Sequence, residues 1–352
     1  MNRRSFIASS SAALLSANLR GQAIRPVSKI RIGQIGTLHA HASGKTQTIL
    51  AQPDVYELIG VVEHDPEHRR KIAENSAYAG VTWMTEEQLL ESSGLQVVAV
   101  ETEVSQLVPT ALRCIAAGKH IHLDKPGGDS LPDYKHLLKT AESSQRIVQM
   151  GYMLRYNSAF QFMYRAVREG WLGEIMEIDC MMGKLADDET RDAIGRFPGG
   201  GMFELGGHVI DSVVHMLGKP KSVTAYAHQT QRDGVADNQL AVLDFQQAIA
   251  TVRINHRDPF GGPRRRFQIS GDKGSLEIQQ LESGNLLLYL DESSGGYAKG
   301  VQRLSLGKEG RYVGEFRGLA KAIRGEKQLD WSYEHDLNTQ ETLLLASSMP
   351  IN

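Results

Sequence analysis

The chain has 352 residues, of which 41% are hydrophobic and 23% are charged, and this composition suits a globular protein with room for two domains. The formal net charge of −2 favours neither nucleic acid nor an anionic membrane as a partner. Two cysteines, Cys114 and Cys180, are too few for a disulfide framework or a four-cysteine zinc site.

Residues 1–23 have the order of charged, apolar and small residues that is typical of a signal peptide. Arg3 and Arg4 precede a short, serine-rich apolar run, and Gly21-Gln22-Ala23 supplies small residues for cleavage. The run is too short to span a bilayer. The paired arginines resemble the twin-arginine export signal, which carries folded proteins and predicts a periplasmic or otherwise exported location. A disordered basic start is the alternative interpretation.

Strand-like and helix-like segments alternate through the first half of the chain, which predicts a parallel sheet covered by helices on both faces. We interpret residues 28–150 as a Rossmann-like dinucleotide-binding domain, in which ligands bind beyond the carboxyl ends of the strands. Strands are expected at Lys29–Ile35, Tyr56–Val62, near Val81–Trp83, Gln96–Val100 and Lys119–Leu123. Helices are expected at about Gly44–Ala51 and at Pro66–Ser76, Glu86–Glu91 and Val108–Ala117.

The loop after the first strand keeps only part of the glycine pattern that binds a dinucleotide. Gly36 follows the strand, but Leu38 and His41 stand where the second and third glycines belong. Glu63 ends the second strand, where a carboxylate accepts hydrogen bonds from the adenosine ribose and repels a 2′-phosphate, so NAD is predicted over NADP. A surface strand-end charge is the alternative for this glutamate. The predicted cofactor contacts in this half are Gly33, Gly36, Thr37, Leu38, His39, Glu63, Thr102, Lys125 and Pro126.

Three motifs resemble the Gfo/Idh/MocA family, which is named for glucose–fructose oxidoreductase and inositol dehydrogenase. Ala117–Pro126 resembles the family's Ala-Gly-Lys-His, strand and Glu-Lys-Pro pattern, with Asp124 in place of the glutamate. Gly151–Asn157 resembles the segment that opens the second domain, and it adds Arg155 to the implied cofactor contacts. Gly199–Pro220 resembles the family's helix with an acid and a histidine.

The resemblance covers residues 29–349 and implies a nicotinamide-dependent oxidoreductase that acts on the hydroxyl of a sugar or polyol. It also implies that residues 151–352 form an α+β domain with a large, mainly antiparallel open sheet. In the family one face of that sheet covers the cofactor and the other often pairs subunits, so a homo-oligomer is expected. The alternating pattern itself predicts strands at Ile175–Met182, Ser222–His228, Gln239–Phe245, Ile249–Asn255, Arg266–Ser270 and Ser275–Gln280, with helices at Met202–Leu217 and Leu337–Ser348.

Oxidation of a secondary alcohol requires a group that takes the hydroxyl proton and groups that orient the substrate. Lys125 follows a strand, and partial burial beside a cationic nicotinamide would lower its pKa. Glu204 and His208 are spaced i, i+4, which places both side chains on one face of a helix. The resemblance implies that this pair serves in catalysis and substrate binding. We expect His208 to be the general base, Lys125 to orient the alcohol, and Glu204 to hold the imidazole or bind a neighbouring hydroxyl.

Alternatives remain for these residues. Glu204 is also consistent with a helix-capping acid, His208 with a core histidine, and Lys125 with an exposed loop lysine. Tyr152 and Asp211 complete the predicted substrate-binding set, although Asp211 also fits a charge on the helix surface.

Histidines cluster near the predicted strand ends, at His39, His41 and His122. None of these three histidines belongs to a His-x-x-x-His or His-Glu-x-x-His helix motif, so we expect no metal site. His39, in the first turn after Gly36, is expected to contact the dinucleotide instead.

Three functions are consistent with these features. The first is an exported NAD-dependent oxidoreductase that keeps its cofactor and recycles it in place. The second is a glycosidase that oxidises a glycoside, eliminates the weakened bond and returns the hydride, a route that needs no pair of catalytic carboxylates. The third is a non-catalytic protein that binds a sugar or nucleotide; the incomplete glycine loop favours it, and Lys125 with His208 argue against it.

Overall fold

The computed structural model describes residues 28–352. The predicted signal peptide, residues 1–23, lies outside the described residues. Within the described part of the chain, no helix combines the length and apolar character needed to cross a membrane.

The first half of the chain forms a six-stranded parallel sheet with the strand order β3-β2-β1-β4-β5-β6. Its central strands are apolar and buried because helices cover both faces of the sheet. The order changes direction between β1 and β4, and doubly wound sheets bind ligands at such a switch point. This sheet confirms the predicted Rossmann-like half of the fold. The strands are β1 Ile30–Ile35, β2 Tyr56–Val62, β3 Trp83–Met84, β4 Val97–Val100, β5 His120–Leu123 and β6 Val148–Met150.

Local capping explains where several helices of this half begin. Asp65 accepts a hydrogen bond from the backbone N–H of Glu67, and Thr85 forms a reciprocal capping box with Gln88. Ser130 caps a helix that the sequence pattern did not predict. The helices are α1 Ala42–Leu50, α2 Pro66–Ile72, α3 Glu86–Leu90, α4 Val104–Ala116 and α5 Leu131–Ser143.

The second half forms an eight-stranded sheet with the order β14-β13-β12-β11-β7-β10-β9-β8. Every pair of neighbouring strands in it is antiparallel except β7 and β10, which confirms the predicted mainly antiparallel open sheet. Alternate residues of most strands are buried beneath helices, and the other face is more exposed. The strands are β7 Ile175–Gly183, β8 Ser222–His228, β9 Asn238–Asp244, β10 Ile249–Asn255, β11 Arg266–Gly271, β12 Gly274–Gln279, β13 Asn285–Leu290 and β14 Gly300–Ser305.

The last helices of the chain return to the first sheet. The Tyr56 hydroxyl donates a 2.6 Å hydrogen bond to the carbonyl of Phe316. The side chain of Gln340 accepts from the N–H of Gly127 and donates to the carbonyl of Gly128, which fixes the turn after β5. The helices of this half are α6 Ser158–Arg168, α7 Asp188–Gly195, α8 Gly207–Leu217, α9 Val313–Ile323 and α10 Tyr333–Ala346, and a π-helical turn over Met202–Gly206 leads into α8.

Candidate active site

The ends of β1 and β4 approach so closely that Gly36 is required between them. Its φ is +89°, and a Cβ added there would lie 2.6 Å from the backbone nitrogen of Thr102. Gly33 was expected to contact the cofactor, but it packs against Leu89 of α3. A Cβ added at Gly33 would lie 2.7 Å from Cδ1 of Leu89. Gly36 and Thr102 therefore mark the switch point, whereas Gly33 packs the sheet against a helix.

Glu63 lies at the end of β2 with its carboxylate turned toward the loop after β1. One oxygen accepts hydrogen bonds from the Thr37 N–H at 3.1 Å and the Thr37 hydroxyl at 2.5 Å, and the other accepts from the Asp65 N–H at 3.0 Å. The side chain is buried except for 9% of its surface. The structure thus brings Glu63 and Thr37 together at the position where the adenosine ribose was expected.

Lys125 follows β5 and lies on the wall of the cleft between the two halves of the chain. Its Nζ donates a 2.6 Å hydrogen bond to the backbone carbonyl of Glu204, and the Lys125–Pro126 peptide is cis. Burial lowers the pKa of Lys125, although the nearby Glu204 and Asp124 carboxylates oppose that shift. A lysine with a lowered pKa at a strand end is suited to exchange a proton with a bound hydroxyl.

His208 lies in the first turn of α8 and is 1% exposed. Its Nδ1 has no hydrogen-bond partner within the described part of the chain. The ring lies 5.6 Å from that of His41 and 6.2 Å from that of Tyr152, measured between centroids. Burial and the neighbouring Lys125 hold the pKa of His208 well below its ordinary value, so the imidazole is neutral near pH 7.

Glu204 does not hold His208, contrary to the expectation from their spacing. Its carboxylate instead accepts from His256 Nε2 at 3.0 Å and Lys184 Nζ at 3.2 Å. The π-helical turn that contains Glu204 changes the register between the two residues, and such turns recur at functional sites. Burial raises the pKa of Glu204, but the His256 hydrogen bond and the cations of Lys125 and Lys184 outweigh it, so the pKa lies well below its usual range.

Asp124 is the centre of a buried cluster beneath Lys125. It accepts from Lys45 Nζ at 2.8 Å, and its oxygens lie 2.9 Å from His39 Nδ1 and 3.2 Å from His41 Nδ1. Lys45 also lies 3.0 Å from the carboxylate of Glu101. These contacts hold the pKa of Asp124 well below its usual range despite burial.

The ligand atoms of His39, His41 and Asp124 lie within 4.8 Å of one another, a spacing that a metal ion would also require. The Lys45 ammonium already neutralises the same Asp124 carboxylate, and it would repel a second cation. The cluster therefore fits proton-bearing partners better than a metal, and the expectation of no metal stays a prediction.

Arg155 and Asp211 lie in a separate buried ion cluster. The guanidinium of Arg155 donates to Asp211 at 2.7 Å and also to Asp336, while His335 Nε2 lies 2.8 Å from Asp211. Arg155 is 2% exposed and Asp211 is fully buried, so the structure does not bring them to the cleft as cofactor and substrate ligands. Tyr152 is equally buried, and its ring lies between this cluster and His208.

The cleft has a volume of about 440 Å³ and lies between the strand ends of the first sheet and helix α7. One wall carries Leu38, His39 and Ala40 at the start of α1, together with Lys125 and Pro126. The opposite wall combines apolar and polar side chains, and Lys184 and Glu204 supply the polar groups near Lys125. The residues of that wall include Ala193, Ile194, Phe197 and Phe203. His208 is behind this surface, so Lys125 and Glu204 are the predicted catalytic residues that face the open space.

The sequence interpretation missed Lys184, His256 and Lys45. Lys184 follows β7 and His256 follows β10, and these two strands are neighbours in the second sheet. No local sequence pattern indicates that β7 and β10 pair, because they are far apart along the chain. Lys45 lies on the buried face of α1 together with Ala42 and Ile49, and only the buried carboxyl groups around it show its role.

Two models of one protein family match the sequence of the chain. Residues 30–152 match "Oxidoreductase family, NAD-binding Rossmann fold", and residues 160–277 match "GFO/IDH/MocA C-terminal domain". Together the two ranges cover more than half of the chain.

The relatives whose names describe an activity include two inositol dehydrogenases. The scyllo-inositol 2-dehydrogenase (NADP(+)) IolW of Bacillus subtilis is 25% identical over 54% of this chain and 53% of its own length. The myo-inositol 2-dehydrogenase of Thermotoga maritima is 22% identical over 76% of this chain and 79% of its own length. The alignment with IolW spans about half of that protein.

A solved structure has the same fold. GenD2 from gentamicin A biosynthesis, in complex with NAD, superposes with a TM-score of 0.76 at 21% identity, covering 92% of this chain and 95% of that chain. At this identity the likeness concerns the fold. Both halves of the sequence match the same family, and the two sheets and the switch point are consistent with that match. The chain belongs to the Gfo/Idh/MocA family of NAD-binding oxidoreductases.

Proposed function

We propose that the protein oxidises a secondary hydroxyl of a sugar, glycoside or polyol with NAD as the hydride acceptor. The observation that carries this proposal is the position of Lys125, which has a lowered pKa and faces the cleft beside the carboxyl ends of the strands. The names of the two inositol dehydrogenases support a polyol as the substrate class.

The residues at the switch point fit a dinucleotide. Leu38, His39 and Ala40 line the cleft just before α1, whose amino terminus favours a phosphate group. We assign Glu63 the role of accepting a hydrogen bond from the ribose at the far end of the dinucleotide. When bound, NAD supplies the carbon that accepts the hydride.

The substrate hydroxyl is proposed to bind between Lys125 and Glu204. Lys125 holds the hydroxyl oxygen and stabilises negative charge on it as the proton leaves. Glu204, kept ionised by His256 and Lys184, accepts a hydrogen bond from a neighbouring hydroxyl. The neutral imidazole of His208 remains the proposed general base, and it requires one hydroxyl or water between it and the cleft.

We also propose that the protein is exported by the twin-arginine route with NAD already bound, and that the cofactor is recycled in place. The support is the Arg3-Arg4 motif combined with a family that binds a dinucleotide. Replacing both arginines by lysine should leave the full-length protein in the cytoplasm. Export that continues in the lysine variant would contradict the proposed route.

A homo-oligomer through the open face of the second sheet is proposed as well. That face carries exposed apolar side chains, including Tyr226 on β8 and Val301 on β14. Light scattering should report a mass above that of one chain, and Tyr226→Asp should lower it. A monomer at micromolar concentration would contradict this proposal.

A panel of polyols and glycosides without added cofactor tests the proposed function. A keto-sugar or keto-polyol detected by mass analysis supports the oxidoreductase. Free sugar released from a glycoside would support the glycosidase alternative. Saturable binding of a panel compound without any product would support the non-catalytic alternative.

A further inference from the structure

Three histidine rings lie in a row from the buried interior to the cleft. The centroids of His208 and His41 are 5.6 Å apart, and those of His41 and His39 are 4.9 Å apart. Asp124 joins the last two, because its oxygens lie 3.2 Å from His41 Nδ1 and 2.9 Å from His39 Nδ1. Asp124 therefore connects His41 with His39, and the remaining step from His208 to His41 requires one bridging water or hydroxyl.

The two ends of the row differ in their surroundings. His208 is 1% exposed and its Nδ1 has no partner among the residues described. His39 lines the cleft, and its Nε2 donates a 2.9 Å hydrogen bond to the carbonyl of Lys125. The imidazole of His208 is almost completely buried, so a proton on it has little direct access to solvent.

We propose that His41, Asp124 and His39 form a proton path that carries the proton of the substrate hydroxyl from His208 to the cleft. The inference rests on the proposed function, since it concerns the proton that alcohol oxidation releases. The C–H bond of the carbinol gives its hydride to NAD, and the O–H bond gives its proton to His208. That proton binds Nε2 of His41, the Nδ1 proton of the same ring passes by way of Asp124 to Nδ1 of His39, and the Nε2 proton of His39 leaves to water in the cleft in exchange for its hydrogen bond with the Lys125 carbonyl. No further reactant is needed.

The hydrogen bonds of His41 suit this task. Its Nδ1 faces an Asp124 oxygen that only accepts, so the neutral ring carries its proton on Nδ1 and keeps Nε2 as an acceptor. Burial lowers the pKa of His41 to about 4, so the ring takes up a proton only transiently at neutral pH. The other titratable groups around the ring are His39, Lys125 and Tyr312.

The same arrangement assigns Lys45 a positioning role. It lies 2.8 Å from Asp124 and keeps that carboxylate ionised and fixed between the two histidines. Glu101, on the other side of Lys45, lies 3.0 Å from it and forms no hydrogen bond with His39 or His41, and burial together with the nearby Asp124 raises the pKa of its carboxyl group.

Stopped-flow measurement of two signals tests the path. The panel compound that reduces bound NAD fastest is mixed with the holoenzyme, and absorbance of the reduced nicotinamide and of a pH indicator are followed together. In the wild type the two signals should rise together. In His41→Asn proton release should lag behind reduction by about tenfold or more, and added imidazole should remove the lag because a mobile buffer replaces the missing proton carrier.

His335→Asn is a matched control, since His335 also contacts a buried aspartate at 2.8 Å and is exposed to a similar degree, but lies in the separate Arg155 cluster. It should show no lag. Proton release that keeps pace with reduction in His41→Asn, or a lag that imidazole does not relieve, would overturn the path. One equivalent of bound zinc that is lost in His41→Asn would also overturn it, because the cluster would then be a metal site.

A second measurement needs no substrate. Nitrogen-15 spectra of histidine side chains in the holoenzyme should show His41 neutral at pH 7 with its proton on Nδ1, and Asp124→Asn should shift that signal. A proton on Nε2 of His41 would leave that nitrogen unable to accept a proton from His208, and this result would overturn the proposal. If no panel compound is oxidised, the proposed function fails, and the histidine spectra still decide whether the path is assembled.

Discussion

Replacing Glu63 by alanine should weaken NAD binding and narrow the preference for NAD over NADP. The two carboxylate oxygens of Glu63 offer about four acceptor positions. Thr37 takes two of them and Asp65 takes one, which leaves one for a ribose hydroxyl without displacing either partner. A hydrogen bond to a charged group contributes about 1.5–3 kcal/mol, so the loss predicts NAD binding that is about 10- to 150-fold weaker.

The effect on NADP should differ in direction. The carboxylate of Glu63 repels a 2′-phosphate, and its removal should leave NADP affinity unchanged or improve it. Calorimetric titration of both dinucleotides into cofactor-free protein measures the two affinities. Glu67→Gln is a suitable control, because Glu67 is an exposed acid in the first turn of α2 that contacts Lys71. Equal affinities in wild type and Glu63→Ala would refute the assignment of Glu63 to the ribose.

Further variants test other parts of the account. Lys125→Ala should abolish turnover while the dinucleotide content after desalting stays near that of the wild type, and a near-normal rate would remove Lys125 from the reaction. His208→Asn should slow single-turnover reduction of bound NAD by about a hundredfold or more and flatten the acid limb of its pH profile, whereas an unchanged limb would identify another base. Arg155→Leu strands two buried aspartates and should lower the free energy of unfolding by about 3–5 kcal/mol in urea titrations, and a loss below about 1 kcal/mol would contradict the buried pairing. Burial lowers the pKa values of His41 and His120 to about 4, so between pH 6.5 and pH 4 the unfolded chain binds more protons than the folded chain. The free energy of unfolding should therefore fall as the pH is lowered from 6.5 toward 4. A free energy of unfolding that does not change over this range would contradict the burial of the two histidines as neutral rings.

Local patterns were sufficient for most of the two sheets. Tyr56–Val62, Ser222–His228 and Ile249–Asn255 have the bounds expected from the sequence, because apolar runs and alternation directly reflect which faces are buried. The helix α4 begins at Val104, four residues before the expected start, and Pro109 lies inside it. Strands β13 and β14 and helices α7 and α9 were not predicted, although α7 supplies one wall of the cleft.

Sequence motifs located the site residues that lie at the end of a single strand. They did not locate the residues that come together from distant segments of the chain. Lys125 and Glu63 lie at the carboxyl ends of strands, as the alternation of strands and helices required. The i, i+4 rule failed for Glu204 because a π-helical turn replaces the regular helix there, and its partners come from the ends of β7 and β10. The contacts of Asp124 with His39 and His41 depend on the proximity of two loops that are more than eighty residues apart.

The most direct test of the central claim is the transfer of label from substrate to cofactor. A polyol or glycoside that carries deuterium on the carbon to be oxidised is mixed with the holoenzyme for a single turnover, and the dinucleotide is then released and weighed by mass spectrometry. We expect the deuterium to appear on the reduced nicotinamide in the wild type and to be absent from it in Lys125→Ala, which should retain its NAD. A product formed by the wild type while the dinucleotide remains unlabelled would contradict the account.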